Sequence, residues 1–176
     1  AIILMVTSNA ARQSARAQAF DELAQIQATV TDRVNALLAA PMRAVSLNRD
    51  LLAQGKLDPV DPRPWRDALV AESHAFPMLS AITWGTETGS ATWLARYGGD
   101  QPKRFYAILT LDDNGVMREY AVTPEGQVGD TPSSTFAFDP KGRPWYVAAV
   151  EAGGPAWSEP YTWAGDTNAA VVTIGL

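Results

Sequence analysis

The chain has no cysteine and a single histidine among 176 residues. Without cysteine there is no disulfide framework, no thiolate nucleophile and no cysteine-based zinc site. A Ser-His-Asp triad or a multi-histidine metal site would have only His74 to build on. His74 falls near the end of a helical pattern, where a solvated imidazole is the plainer reading. Basic residues are also in short supply: 14 Lys and Arg against 19 Asp and Glu leave a net charge of −5. They are scattered rather than gathered into the face that phosphate neutralisation requires, so a nucleic-acid partner is not expected. Asp112-Asp113 falls in a turn and Glu87 at a hairpin tip, and no nucleophile has a base at recognisable spacing. With no Gly-rich phosphate loop and no metal-ligand cluster either, these residues are expected to hold no cofactor, no metal and no catalytic site.

Long apolar runs are missing as well. Ala1 to Val6 is continuously apolar, but a span takes about 20 such residues. No basic residue precedes the run, so it does not read as a signal peptide. The expectation is the outer end of a transmembrane helix (residues 1–6) that begins outside this chain. The strand at the other end stops without a turn, which suggests a piece of a longer protein.

What is present is a globular composition, 47% hydrophobic and 19% charged, with room for one domain or a domain plus a long helix. Residues 7–54 carry one helical pattern. Phe20, Leu23, Val30, Val34, Leu37, Ala44 and Leu51 recur at steps of three, four or whole heptads, with Gln27 and Pro41 at weaker seam positions. The first part reads as a stalk able to pair with a second copy, and the later part as lying against the domain. Pro41 is expected to kink or divide the helix. Gly55 ends it, and a Pro-rich loop leads to a second helix over Trp65–Ala75 with Trp65 and Leu69 inward.

From Met78 the apolar period changes from helical to two. Strands are expected over Leu79–Gly85, Ala91–Tyr97, Arg104–Leu111 and Val116–Thr123, joined by Glu87-Thr88-Gly89 and Asp112-Asp113-Asn114-Gly115 turns. Phe136–Phe138 leads into the densest stretch of the chain. There Asp139-Pro140-Lys141-Gly142 forms a turn, and Arg143-Pro144-Trp145-Tyr146 opens a short helix that Gly153-Gly154-Pro155 stops. Strands over Trp157–Trp163 and Asn168–Leu176 follow. The order predicts an α+β fold: a long N-terminal helix, then an antiparallel sheet with short flanking helices over 55–176.

Arg143 beside Trp145 and Tyr146, with Tyr161 returning on a strand, is compatible with two roles. The aromatics anchor a helix on a sheet while the guanidinium caps a carbonyl, or the group recognises a ligand. As a site its chemistry is coherent. A guanidinium offers a carboxylate a planar, bidentate fork, the tyrosines add hydroxyls, and Trp145 supplies a flat wall. Trp84 and Trp93 fit core or pocket wall, core being the plainer assignment; Trp84 is kept with the site candidates.

The segments Phe138-Asp139-Pro140-x-x-Arg143-Pro144-Trp145-Tyr146 and Trp157-Ser158-x-Pro160-Tyr161, preceded by a long helix, resemble the double Cache family of extracytoplasmic sensors. The likeness is to the membrane-distal, PAS-like module. Trp84-Gly85-x-Glu87-Thr88-Gly89 is similar to the form found ahead of bacterial adenylate and guanylate cyclases. The resemblance implies a periplasmic, membrane-anchored module that binds a small molecule and drives a cytoplasmic output domain such as a cyclase, kinase or methyl-accepting domain. In the amino-acid-binding branch, residues matching Arg143, Trp145, Tyr146 and Tyr161 hold the ligand carboxylate. Phe138 stands where that branch has Tyr. The branch's ammonium-binding Asp would fall beyond Leu176, Asp166 being too early to match it. The expected ligand-binding set is therefore Arg143, Trp145, Tyr146, Tyr161, Phe138 and Trp84, in a homodimer expected to pair through the first helix. A structural spacer without a ligand is the alternative.

Overall fold

A computed structural model describes residues 2–98, 100–164 and 170–175, with side chains placed from Gln13 onward except at Ala170. The fold is α+β. Helix α1 (Ile2–Ala53) is followed by α2 (Trp65–Ala75), then strands β1 (Ala81–Gly85), β2 (Ala91–Tyr97), β3 (Lys103–Leu109), β4 (Val116–Val122) and β5 (Ser134–Ala137). Helix α3 (Pro144–Ala152) and four two-residue strands complete it: β6 (Ala156–Trp157), β7 (Tyr161–Thr162), β8 (Ala170–Val171) and β9 (Ile174–Gly175).

The chain divides into two compact units, residues 1–39 and 40–176. In the first, Phe20, Leu23, Val30, Val34 and Leu37 are all exposed, so the heptad stripe is an uncovered face. In the second, Ala44 is buried and Leu51 half-buried against the domain core. Helix α1 runs through Pro41 without a break, so the expected division into two helices does not occur. Pro41 removes one amide donor, and helix on both sides absorbs that loss. Among the described residues no helix is long and apolar enough to cross a membrane.

Strands β1 to β5 pair in sequence order as an antiparallel meander. One row crosses the whole sheet: Thr83, Trp93, Ala107, Glu119 and Ser134 are successive cross-strand partners. Because side chains alternate along a strand, each face has its own core. Ile82, Leu94 and Tyr106 pack with Leu57, Trp65 and Leu69 on the α2 face. Ala91, Trp93, Ala95, Ala107, Leu109 and Met117 pack with Trp163 on the other. Ala91 to Ala95 are buried in an unbroken run, since both faces of β2 are covered.

The expected Trp157–Trp163 strand is interrupted, leaving β6 and β7 as separate pairs with β9 and β8. Pro160 lies in the gap, where its missing N–H cannot serve a ladder. The last expected strand, Asn168–Leu176, is likewise two short pieces; Asn168, Ala169 and Leu176 lie outside the described residues, as does Asp166. The β3–β4 connection is a 3-10 turn over Leu111–Asp113, followed by Asn114 and Gly115 at φ 51° and 75°. It buries the Asp113 carboxylate, which accepts from the Thr110 amide (2.7 Å) and hydroxyl (2.8 Å) and pairs with Arg118 (2.5 Å).

Candidate functional site

The site is built from the turn ahead of α3. Asp139 accepts at Oδ1 from the Lys141 amide (3.0 Å), and the Arg143 amide donates to the Pro140 carbonyl (3.2 Å). Pro144 is the first helical residue, and the clash of its ring with the preceding residue holds Arg143 extended, at φ −82° and ψ 141°. That turns the Arg143 side chain away from the helix and toward β7.

There Arg143 Nη2 donates to the Thr162 carbonyl (2.7 Å). Its guanidinium carbon lies 5.1 Å from the Tyr161 ring centre and 5.9 Å from that of Phe138. The cation therefore sits within cation–π reach of two rings. Among the described residues no carboxylate pairs with it. Burial raises the pKa of Tyr161, with Thr173 and Arg143 pulling the other way. The Thr173 hydroxyl donates to the Tyr161 oxygen (2.9 Å), which leaves the phenolic proton for another acceptor.

Trp145 points toward the sheet instead. Its indole lies where a Cβ on Gly85 would approach within 2.8 Å, and its carbonyl is 2.5 Å from where a Cβ on Gly175 would be. Two glycines, one on β1 and one on β9, thus make the notch that seats α3. Tyr146 packs edge-on against Trp145 (5.8 Å) and is half-buried. Phe138 leaves β5 to pack edge-on against Trp93 (5.0 Å). The structure brings Arg143, Phe138 and Tyr161 together, with Trp145 and Tyr146 beginning the adjoining helix.

Trp84 does not join them. It projects to the α2 face and stacks on Trp65 at 4.7 Å, because it and its neighbour Gly85 must point to opposite sides of the sheet. On that face, a cleft lined by Ser73, Ile82, Leu94, Arg96 and Arg104 has a volume of about 10 Å3, enough for a single water. His74, in the last turn of α2, is exposed and bonds to Arg104 (2.8 Å).

Three further residues bring unpaired polar atoms to the α3 face. Trp93 Nε1, Trp163 Nε1 and Thr83 Oγ1 are buried without a hydrogen-bond partner among the described residues. Thr83 and Trp93 are direct cross-strand partners, and the rings of Trp93 and Trp163 meet edge-on at 5.3 Å. Trp163 immediately follows Thr162, whose carbonyl holds Arg143. Its spacing of two from Tyr161 was the available sequence signal, since alternate residues of an extended segment share a side. All three groups can donate a hydrogen bond, and none has an acceptor among the described residues. Among the described residues there is no cluster of three or more metal-ligating side chains.

No family model, no curated protein and no solved structure matches this chain.

Proposed function

We propose that this chain is the extracytoplasmic sensing module of a transmembrane receptor, of the double Cache type that its Phe138–Tyr161 motif resembles. Its ligand is a small molecule bearing a carboxylate, an amino acid being the favoured case. The observation that carries this reading is the Arg143 guanidinium, held over Phe138 and Tyr161 with no carboxylate partner among the described residues. The unpartnered indole N–H groups of Trp93 and Trp163 on the same face add donors that an anionic ligand satisfies. Tyr161 offers its phenolic proton, while Trp145 and Tyr146 fix the helix that carries Arg143.

In this reading the module lies on the periplasmic side of the inner membrane, and α1 leads toward the membrane. Ligand binding favours one arrangement of the sheet domain, and α1 transmits the change. Such a shift requires different affinities for the two arrangements. Two copies pair through the exposed stripe from Phe20 to Leu37, whose heptad steps suit a second copy of the same helix. The module binds and does not catalyse. That same exposed stripe favours the second reading, a dimerising spacer without a ligand.

The test is a thermal-shift screen of the protein against amino acids, small carboxylates, amines and nucleobases, repeated on Arg143→Ala. A ligand at a hundred times its Kd adds about 2.7 kcal/mol, a shift of several degrees. Arg143→Ala is expected to weaken carboxylate binding by roughly two to three decades while the protein still melts cooperatively. A shift that survives the substitution would move the pocket elsewhere, and no shift with any compound would favour the spacer.

A further inference from the structure

Helices α1 and α2 meet through polar side chains at positions their patterns reserve for apolar ones. Asn48 lies four residues beyond Ala44 and eight beyond Ala40, both buried on α1. Glu72 continues the inward stripe of Trp65 and Leu69 on α2 and is only 4% exposed. Asn48 Nδ2 donates to Glu72 Oε2 at 3.0 Å. The remaining polar atom of each group, Asn48 Oδ1 and Glu72 Oε1, is buried without a hydrogen-bond partner among the described residues.

With Glu72 ionised, both of those oxygens are acceptors, and each carries the cost of an unsatisfied buried group. A single proton on Oε1, directed to Oδ1, would remove both deficits. The carboxylic O–H then donates to Asn48 Oδ1 while the amide N–H goes on donating to Oε2. We propose that Glu72 and Asn48 form a closed acid–amide pair, a proton-dependent latch that fastens the C-terminal part of α1 to α2 and opens when the proton leaves.

The ionisable groups on the elements around Glu72 are engaged elsewhere or exposed. On α1, Arg43 is exposed and Arg49 lies 3.7 Å from Asp50. On α2, Arg66 pairs with Asp67 (3.0 Å), and His74 bonds to Arg104 of β3 (2.8 Å). Strand β1 carries no ionisable residue, and Arg96 of β2 donates to the Pro77 carbonyl (2.6 Å). Burial accordingly dominates and lifts the Glu72 pKa from 4.5 to about 7, the Asn48 bond pulling the other way.

Between those two values the folded chain holds a proton that the unfolded chain has released. The latch's contribution to stability is therefore complete below about pH 4.5 and is lost as pH rises through about 7. The folding constant changes by at most about tenfold per pH unit on this account.

Glu72→Gln keeps the closed pair, because the glutamine amide donates to Oδ1 and its carbonyl accepts from Nδ2, but removes the titration. Urea unfolding of wild type and E72Q from pH 5 to pH 8 reads the difference. The wild-type folding constant is expected to fall roughly ten- to a hundredfold relative to that of E72Q. Amide exchange over residues 44–52, corrected for its intrinsic pH dependence, should accelerate above pH 7 in wild type and not in E72Q. Carbon-13 NMR of the Glu72 carboxyl in the unaltered protein provides a reading independent of the variant, with a midpoint expected near 7. Parallel loss of stability in the two proteins, equal exchange, or a carboxyl midpoint in the ordinary glutamate range would each overturn the latch.

Discussion

The two faces of the sheet bury tryptophan in different ways. On the α2 face, Trp65 donates its indole N–H to the Asp58 carbonyl (2.9 Å) while its ring stacks on Trp84. On the α3 face, Trp93 and Trp163 are buried too, yet neither N–H has an acceptor among the described residues. Unpartnered atoms occur on the α2 side too, at Asn48 and Glu72, but there both are oxygens and one proton completes them. The α3 side lacks an acceptor, and no proton can supply one. A face that can satisfy itself reads as scaffold, and a face that needs an acceptor from outside reads as a place for a ligand.

The largest effect expected from this contrast is on the scaffold. Leu69 is fully buried between α2 and the sheet, and Leu69→Ala should cost about 2–5 kcal/mol in urea unfolding, from lost transfer energy and the cavity left behind. A loss below about 1 kcal/mol would mean that the α2 face is loosely packed and the contrast is wrong. Next is the seat of α3. Gly175→Ala places a Cβ 2.5 Å from the Trp145 carbonyl and 2.8 Å from Ala149 Cβ, so backbone must move, at about 1–3 kcal/mol. The same displacement shifts Arg143 at the start of α3, so ligand affinity should fall with stability. A variant that lost stability while binding unchanged would separate the α3 seat from the site.

Much of the fold was legible because its signals are local. Trp65–Ala75 is bounded by Pro64 and Phe76-Pro77, and the Arg143-Pro144 step with Gly153 marks α3 at both ends. The β1–β2 hairpin follows from alternation and Gly89, whose φ of 98° suits a glycine. The Arg143–Tyr161 association was legible from the motif. Trp84's separation from it was legible only in part, because a strand's parity states which residues share a face but not which face receives α3. Glu72 was missed although it stands at the next step of the Trp65–Leu69 stripe, since a carboxylate there reads first as the edge of a solvated side. Nothing in the sequence singles out Thr83, and only the spacing of two from Tyr161 points to Trp163. An unpartnered donor is a property of packing, and only the positions of its neighbours reveal it.

The smallest expected effect is the sharpest for the comparison. Trp163→Phe removes the unpartnered N–H and keeps an aromatic ring. Deleting part of a buried ring costs on the order of 1–2 kcal/mol, while relieving an unsatisfied donor returns about 1–3 kcal/mol. The two terms oppose, so without ligand the variant should fall between about 1 kcal/mol less and about 2 kcal/mol more stable than wild type. Its stabilisation by the carboxylate that shifts wild type should nevertheless be reduced, because the donor meets its acceptor only when ligand is bound. A ligand-free loss of 3 kcal/mol or more, well above the ring term alone, would show that the indole N–H is already satisfied in the empty protein. The α3 face would then be completed without a ligand, as the α2 face is completed by its proton, and the orphaned donors would no longer support a binding site.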